Sequence, residues 1–280
     1  MKSKSWVVTA NMGYGHQRTT YPLRHLALGN GIIAANDYSG ILPNDRKIWE
    51  NSREFYEFIS RLTRIPIIGS GIFALYDKLQ EIISFYPKRD LSQDSLQLHV
   101  IFSSIKKGWG KQLIEKIVLA TKEKKNEKFP PFLTSFFIPA FMAEFSGYPG
   151  EIFCIICDTD IARTWVSLVP QKSRIKYFAP NQRVEERLQL YGVKKENIFL
   201  TGYPLPKENI GTIKMNILKK DIANRIVNLD PQKRYQHYYS PLVKKYIGKL
   251  PEKSDHPLTI MFAVGGAGAQ KENGIKIIES

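Results

Sequence analysis

The sequence contains only two cysteines in 280 residues. Two cysteines cannot build the disulfide framework on which small secreted domains depend, and this scarcity favours a reducing compartment. Acidic residues are also few, because 26 Asp and Glu stand against 41 Lys and Arg, which gives a formal net charge of +15. This charge predicts attraction to a negative partner: nucleic acid, an anionic membrane surface or a phosphorylated ligand.

Long apolar runs and targeting segments are missing as well. The longest uncharged run, residues 129–143, contains three prolines and is shorter than the roughly 20 residues that a membrane-spanning helix needs. The apolar stretch after Ser5 is too short for a signal peptide. Together with the scarcity of cysteine, these absences lead us to expect a cytoplasmic protein.

Common metal and hydrolase motifs are missing too. The histidines other than His16 are scattered along the chain and lack the spacing of a zinc site. There is no G-x-S-x-G elbow, which argues against the serine hydrolases built around that turn. We therefore expect no zinc site and no serine nucleophile of this kind.

The apolar residues that are present alternate between strand-like and helix-like patterns. This alternation predicts an α/β fold with a doubly wound parallel sheet, Rossmann-like in character, over residues 1–206. The predicted strands cover residues 6–10, 31–35, 132–137, 151–157, 175–179 and 197–201. The predicted helices cover residues 19–28, 46–86 with an interruption at 65–71, 109–126, 139–145 and 181–191.

The character of the sequence changes after residue 206. Residues 207–256 contain 11 basic and 5 acidic side chains, and we interpret them as a linker with one or two surface helices. A further strand is predicted at 257–264, followed by a glycine-rich turn. Residues 257–280 are therefore expected to begin a second domain, whose sheet is completed by residues outside this chain or borrowed from elsewhere.

Two glycine-rich turns follow predicted strands, at Gly13-Tyr-Gly-His16 and at Gly265-Gly-Ala-Gly-Ala-Gln270. A turn of this kind brings backbone N–H groups close to a ligand, and the second turn lacks the lysine of an ATP-binding P-loop. The neutral imidazole of His16 is suited to accept a proton from a hydroxyl group. The alternatives are a tight turn with a solvent-exposed histidine, and glycines that only permit close packing.

A polar segment, Cys157-Asp-Thr-Asp160, follows the most apolar strand and precedes Trp165. Asp158 and Asp160 are candidates to hold a metal or orient a substrate, and the alternative is helix capping and a salt bridge. Cys154 and Cys157 are three residues apart in a predicted strand, so they point to opposite faces and cannot form a disulfide. We interpret both cysteines as core residues.

The order of these segments resembles the GT-B glycosyltransferases of the monogalactosyldiacylglycerol synthase and lipid-linked N-acetylglucosaminyltransferase type. The most specific part is a helix, Tyr-Gly-Val, a strand and Thr-Gly-Tyr-Pro. The resemblance covers residues 1–40, 130–206 and 257–280. The segments that carry it are Gly13-Tyr-Gly-His16, Thr159-Asp160 before Trp165, Tyr177-Phe-Ala-Pro-Asn-Gln182, Val184 to Val193, Asn197 to Pro204, and Gly265 to Gln270.

The resemblance implies two Rossmann-like domains that face each other, with a truncated C-terminal domain in this chain. It implies transfer of a sugar from a UDP-sugar, as co-substrate, to a lipid or small-molecule hydroxyl, with no metal or other cofactor. His16 falls on the position of the catalytic base. The implied substrate- and donor-binding residues are Gly13, Tyr14, Gly15, Asp158, Asp160, Trp165, Gly202, Tyr203, Gly265, Gly266, Gly268 and Gln270.

The sequence departs from the family in two places. Arg163-Thr164 stand where a histidine usually precedes the tryptophan, and Phe136-Phe137 stand where a histidine–proline pair is common. A basic amphipathic pattern over residues 53–89 suits a lipid interface, or core helices with solvated charges. The partners we expect are therefore a UDP-sugar, an acceptor and the anionic inner face of a membrane.

Other function classes stay open from the sequence. A sugar-nucleotide epimerase uses the same two-domain arrangement without an acceptor, and an inert protein of this fold binds the nucleotide without turnover. A nucleic-acid-binding protein is suggested by the charge of +15. The basic residues form no recognition-helix or RNP pattern, so we expect no nucleic-acid partner.

Overall fold

The computed structural model describes residues 4–29, 31–62, 82–123, 128–257, 259–263 and 271–280, with backbone alone at 55–62 and 271. The chain divides into two compact units. The first unit consists of residues 1–204 and 264–280, and the second of residues 205–263.

The first unit is built on a six-stranded, all-parallel sheet, which confirms the α/β, Rossmann-like fold expected from the sequence. The strands lie in the order β2-β1-β3-β4-β5-β6. They are β1 Trp6–Thr9, β2 Ile33–Ala34, β3 Phe132–Thr134, β4 Ile152–Ile155, β5 Lys176–Ala179 and β6 Ile198–Leu200.

The strand order reverses beside β1. Val8 pairs with Ile33 of β2 on one side and with Thr134 of β3 on the other. Later strands all continue on the β3 side, so the chain changes direction across the sheet at β1 and β3. In open parallel sheets, the carboxyl ends of two strands at such a reversal border a crevice where ligands bind.

The helices alternate with these strands. In the first unit they are α1 Tyr14–Thr20, α2 Pro43–Leu62, α3 Leu96–Lys106, α4 Lys111–Glu123, α5 Phe137–Phe145 and α6 Gln182–Leu190. The second unit contains α7 Lys207–Ile210, α8 Asn216–Leu229 and α9 Arg234–Tyr246. The last helix, α10 Lys271–Glu279, belongs to the residues assigned to the first unit. Within the described ranges, no helix combines the length and apolarity needed to cross a membrane.

Local sequence signals explain where several helices begin and end. The Asn181 side chain accepts the Val184 N–H at 2.9 Å, which confirms the predicted cap of α6. The helix predicted at 19–28 instead begins at Tyr14 and gives way to a 3₁₀ helix at Tyr21–Leu26, whose second residue is Pro22. Ser95 caps α3, a helix that the sequence analysis did not predict.

The prediction of a strand at 257–264 is wrong for residues 259–263, which the structure describes. Residues 259–263 have no regular secondary structure, and the side chains of Ile260 and Met261 are exposed. The described part of the second unit is helical and has no strand beside them, so an apolar run here has no ladder to join. Residue 258 and the second glycine-rich turn, 264–270, lie outside the described residues, as does the interruption predicted at 65–71.

An aromatic cluster lies under the carboxyl edge of the sheet. Trp49 and Trp109 meet edge to face with ring centroids 4.8 Å apart, and Phe136 packs on Phe137 at 4.5 Å. The loop before α4 is held by the buried Asp45 carboxylate, which accepts the Gly110 N–H at 3.1 Å. The ring centroid of Trp49 also lies 6.3 Å from that of Phe136, so α2 and the loop before α4 pack at the edge of the sheet where β3 ends.

We predict that Gly110→Ala destabilises the protein more than Gly108→Ala. Both glycines have positive φ angles, but only at Gly110 does an added Cβ overlap a side chain, that of Met142. Backbone strain costs about 1–2 kcal/mol at either site, and overpacking adds about 1–3 kcal/mol at Gly110. Urea denaturation measures the difference, and equal losses in the two variants would contradict this account of the packing.

Candidate active site

The candidate site lies where β1, β3 and β4 end. β1 is followed by a short loop that enters α1 through Gly13, whose φ of 138° lies in the region that favours glycine. This conformation brings His16 into the first turns of α1, above the end of β3. Tyr14 and Gly15 are exposed beside it, and a Cβ at Gly15 would make only an ordinary contact with Cys157.

The His16 ring is held by a backbone group and by aromatic side chains. Its Nδ1 lies 2.9 Å from the Ser135 carbonyl oxygen. Its ring centroid is 4.5 Å from that of Phe136 and 6.3 Å from that of Trp165. Because a carbonyl oxygen only accepts, Nδ1 carries the hydrogen, and the lone pair of a neutral ring is left on Nε2.

The environment of His16 favours its neutral form. Burial lowers the pKa of His16, and this effect outweighs the Ser135 hydrogen bond and the negative charge of Asp158, which both raise it. The ring is therefore uncharged near pH 7, with a free lone pair on Nε2. A histidine in this state is able to act as a general base.

Cys157 belongs to the site rather than to the core alone. Its Sγ lies 3.4 Å from the Nδ1 of His16, and the side chain is only partly buried. The interpretation as a core residue is confirmed for the fully buried Cys154 but is incomplete for Cys157, because β4 ends at Ile155 and the alternation of faces ends with it. Burial raises the pKa of Cys157 to about 12, so it is a thiol at neutral pH and not an activated nucleophile.

The two aspartates after β4 have different surroundings. Burial raises the pKa of Asp158, and His16 opposes this shift only in its protonated form. Asp160 is bound by two arginines, with its Oδ2 2.7 Å from Arg187 Nη2 and 3.0 Å from Arg183 Nε. Burial acts against its ionisation, but these hydrogen bonds outweigh burial and lower the pKa of Asp160. Asp160 therefore forms a salt bridge, which was the alternative to a role in holding a metal or orienting a substrate.

The segment after β6 returns to α1. The Tyr203 hydroxyl lies 2.9 Å from Thr19 Oγ1, and Thr19 itself donates to the Gly15 carbonyl at 2.7 Å. Tyr203 is therefore the donor in its bond to Thr19. Gly202 precedes it with a φ of 79°, which allows the sharp change of direction after the strand.

The structure thus brings several of the predicted site residues into one region. His16, Asp158 and Trp165 lie together, Gly13, Tyr14 and Gly15 form the adjoining turn, and Tyr203 contacts the same helix. Asp160 is engaged by arginines, and Gly265, Gly266, Gly268 and Gln270 lie outside the described residues. Among the described side chains, no group of three or more His, Cys, Asp or Glu is arranged to hold a metal ion.

Sequence patterns alone do not point to Ser135 or to the role of Cys157. Ser135 follows the strand β3, and its position beside His16 depends on the parallel pairing of β1 with β3. A polar residue at the end of an apolar strand was the available signal, together with the expectation that neighbouring strands end at one edge. A comparison with known protein families, curated proteins and solved structures finds no match for this chain.

We predict that Asp160→Asn destabilises the protein by about 3 kcal/mol, because it leaves the buried guanidinium of Arg187 without its counter-ion. The matched control is Asp37→Asn, which breaks an exposed pair with Arg46 and should cost less than about 1 kcal/mol. Urea denaturation of the two variants measures both losses. A loss for Asp160→Asn no larger than that of the control would contradict its structural role.

We also predict that His16 makes stability depend on pH. The unfolded chain protonates this histidine near its ordinary pKa of 6.5, whereas the folded chain does so only at lower pH. As far as His16 is concerned, the free energy of unfolding is therefore highest above pH 6.5. It decreases as the pH falls from 6.5 through the lower pKa of the folded state. Asp158, whose pKa is raised, acts in the opposite direction at still lower pH.

The measurement is urea denaturation from about pH 7.5 to 5.5, in the parent and in His16→Gln. The parent should lose more stability than the variant as the pH falls, because the other histidines contribute equally to both. Parallel losses in the two proteins would show that His16 has the same proton affinity in the folded and unfolded states.

Proposed function

We propose that this chain is the acceptor-side part of a GT-B glycosyltransferase, which moves a sugar from a UDP-sugar to a hydroxyl of a membrane lipid or small molecule. The observation that carries the proposal is the state of His16. Its Nδ1 is bound to the Ser135 carbonyl at the reversal of strand order, and burial keeps the ring neutral. This combination leaves Nε2 as a base at the edge of the sheet where ligands of such folds bind.

In the proposed reaction, Nε2 of His16 takes the proton of the acceptor hydroxyl as its oxygen attacks the anomeric carbon. The new carbon–oxygen bond forms while the bond to the UDP phosphate oxygen breaks, and UDP leaves with the bonding electrons. The imidazolium formed on His16 is stabilised by the charge of Asp158, whose interaction with the ring already opposes the lowering of its pKa. The reaction uses no metal or other cofactor.

The remaining candidate residues have supporting roles in this proposal. Trp165 and Phe136 flank the His16 ring and limit its rotation. Tyr203 ties the segment after β6 to α1, which is the link expected of a hinge into a donor-binding domain. Gly265, Gly266, Gly268 and Gln270 would lie near the diphosphate, by the resemblance alone. Residues 257–280 then belong to that domain.

The proposed location is the cytoplasm, with peripheral contact at the inner face of a membrane. The low cysteine content and the net charge of +15 support this location, since the first suits a reducing compartment and the second an anionic surface.

The proposal predicts that His16→Gln lowers kcat for UDP release by about 100-fold or more, because a general base contributes about 100- to 10,000-fold to rate. UDP release is measured with the protein expressed from its complete reading frame, over a panel of UDP-sugars with a membrane-lipid extract. The matched control is His25→Gln, since His25 also contacts a carbonyl oxygen through Nδ1, at 2.9 Å, but is exposed.

The control should retain the parent rate, and both variants should keep the far-UV circular dichroism of the parent. Full activity of His16→Gln would remove His16 from the role of base. Failure to release UDP from any donor would overturn the transferase proposal. Turnover of a UDP-sugar that does not depend on acceptor would favour the epimerase instead.

A further inference from the structure

The second unit contains a long stretch of one charge sign. Between Asp230 and Glu252 there are five basic residues, four tyrosines and no acidic residue. The five cations are Lys233, Arg234, Lys244, Lys245 and Lys249. In the described part of this unit, the ion pairs use Lys220, Arg225 and His256, and none uses these five. Their charge is therefore not neutralised within the unit.

The same stretch exposes large apolar side chains along α9. Tyr238 is 76% exposed, and Tyr235, Tyr239, Leu242 and Tyr246 are between 47% and 59% exposed. We call these five side chains the tyrosine surface. Tyr235, Tyr238 and Tyr239 lie on the segment up to the kink of the helix, and Leu242 and Tyr246, four residues apart, lie on one side of the segment after it. Clustered exposed apolar side chains of this size mark an interaction site more often than chance.

The packing of α9 explains why these side chains are left exposed. Val243 is the buried residue of the helix, so its attachment to the unit uses little of its apolar surface. Pro241 cannot donate a backbone hydrogen bond, and the helix is kinked at Tyr239, where φ is −112° and ψ is 17°. Around the kink, the rings of Tyr235 and Tyr239 lie 4.8 Å apart and pack on each other.

We propose that the tyrosine surface and its five cations form a docking site for an anionic phospholipid membrane. The partner is expected to be negatively charged, because Lys and Arg side chains outside ion pairs are attracted to the headgroups of an anionic bilayer. Tyrosine has an apolar ring and a polar tip, so it is favoured at the boundary between headgroups and acyl chains. Leu242 adds an aliphatic side chain that this boundary also accepts.

Nucleic acid fits the same surface less well. Aromatic side chains bind single strands by stacking bases on open ring faces. Tyr235 and Tyr239 each cover a face of the other, and Leu242 has no ring on which a base can stack. The tyrosine surface would be the place where the membrane contact of the proposed function occurs. Membrane binding at this surface does not depend on the transfer reaction.

The experiment is flotation of the full chain with vesicles of phosphatidylcholine alone, or of phosphatidylcholine and phosphatidylglycerol in about a two-to-one ratio. Binding is expected only to the anionic vesicles and is expected to weaken as salt is raised. The double variant Lys244→Gln/Lys245→Gln should bind about thirtyfold more weakly, since each lysine near the surface contributes about fivefold. The matched control is Lys106→Gln/Lys107→Gln, another adjacent and exposed pair.

A second pair of variants tests the apolar part. Tyr238→Ser/Leu242→Ser should weaken binding to anionic vesicles about tenfold, and Tyr86→Ser/Leu119→Ser, which changes equally exposed side chains of the first unit, should not. The four native tryptophans, Trp6, Trp49, Trp109 and Trp165, are all buried. Tyr238→Trp therefore introduces a single exposed indole, whose fluorescence spin-labelled lipid should quench on binding.

Equal binding to neutral and anionic vesicles, or loss of binding in the control variants, would overturn this proposal. So would an unquenched indole at position 238. Binding of a single-stranded oligonucleotide that the α9 variants abolish, without vesicle binding, would assign the surface to nucleic acid. Flotation and UDP release are separate measurements, so failure of the membrane site leaves the transferase proposal standing, and the reverse also holds.

Discussion

The hydrogen bond from His16 Nδ1 to the Ser135 carbonyl oxygen determines what the candidate site is able to do. It joins α1, which follows β1, to the residue that follows β3, across 119 residues of sequence. It also assigns the hydrogen to Nδ1 and leaves the lone pair on Nε2. Without it, either nitrogen could carry the hydrogen. The assignment of the lone pair to Nε2 therefore depends on the parallel pairing of β1 with β3.

The residues around His16 also determine the pKa of its ring. Phe136 and Trp165 keep water from the ring, and this desolvation disfavours the imidazolium, whereas Asp158 favours it. Burial keeps the histidine neutral, and in the proposed reaction Asp158 would give the cation a partner. Cys157 fills the space beside Nδ1 as a neutral thiol, so it adds no competing charge.

The parts of the fold that follow from short-range patterns were predictable from the sequence. β1, β3 and β4 are largely buried apolar runs, and the Gly13 turn directed attention to His16. The contacts of His16 with Ser135 and Cys157 join residues 119 and 141 positions apart, and only the pairing of the strands brings them together. The apolar run 257–264 has the composition of a strand, but the described residues offer it no neighbouring strand. The basic charge of 231–251 is visible in the sequence, whereas the exposure of its tyrosines depends on how α9 packs.

The protonation state of His16 tests the central claim most directly. Long-range ¹H–¹⁵N NMR spectra distinguish the two nitrogens of each histidine, and the spectrum of His16→Gln identifies the signals of His16. The structure predicts a neutral ring at pH 7, with the hydrogen on Nδ1, and a pKa below the ordinary value of 6.5. A ring that is charged at pH 7, or that carries its hydrogen on Nε2, would contradict the assignment of His16 as a base.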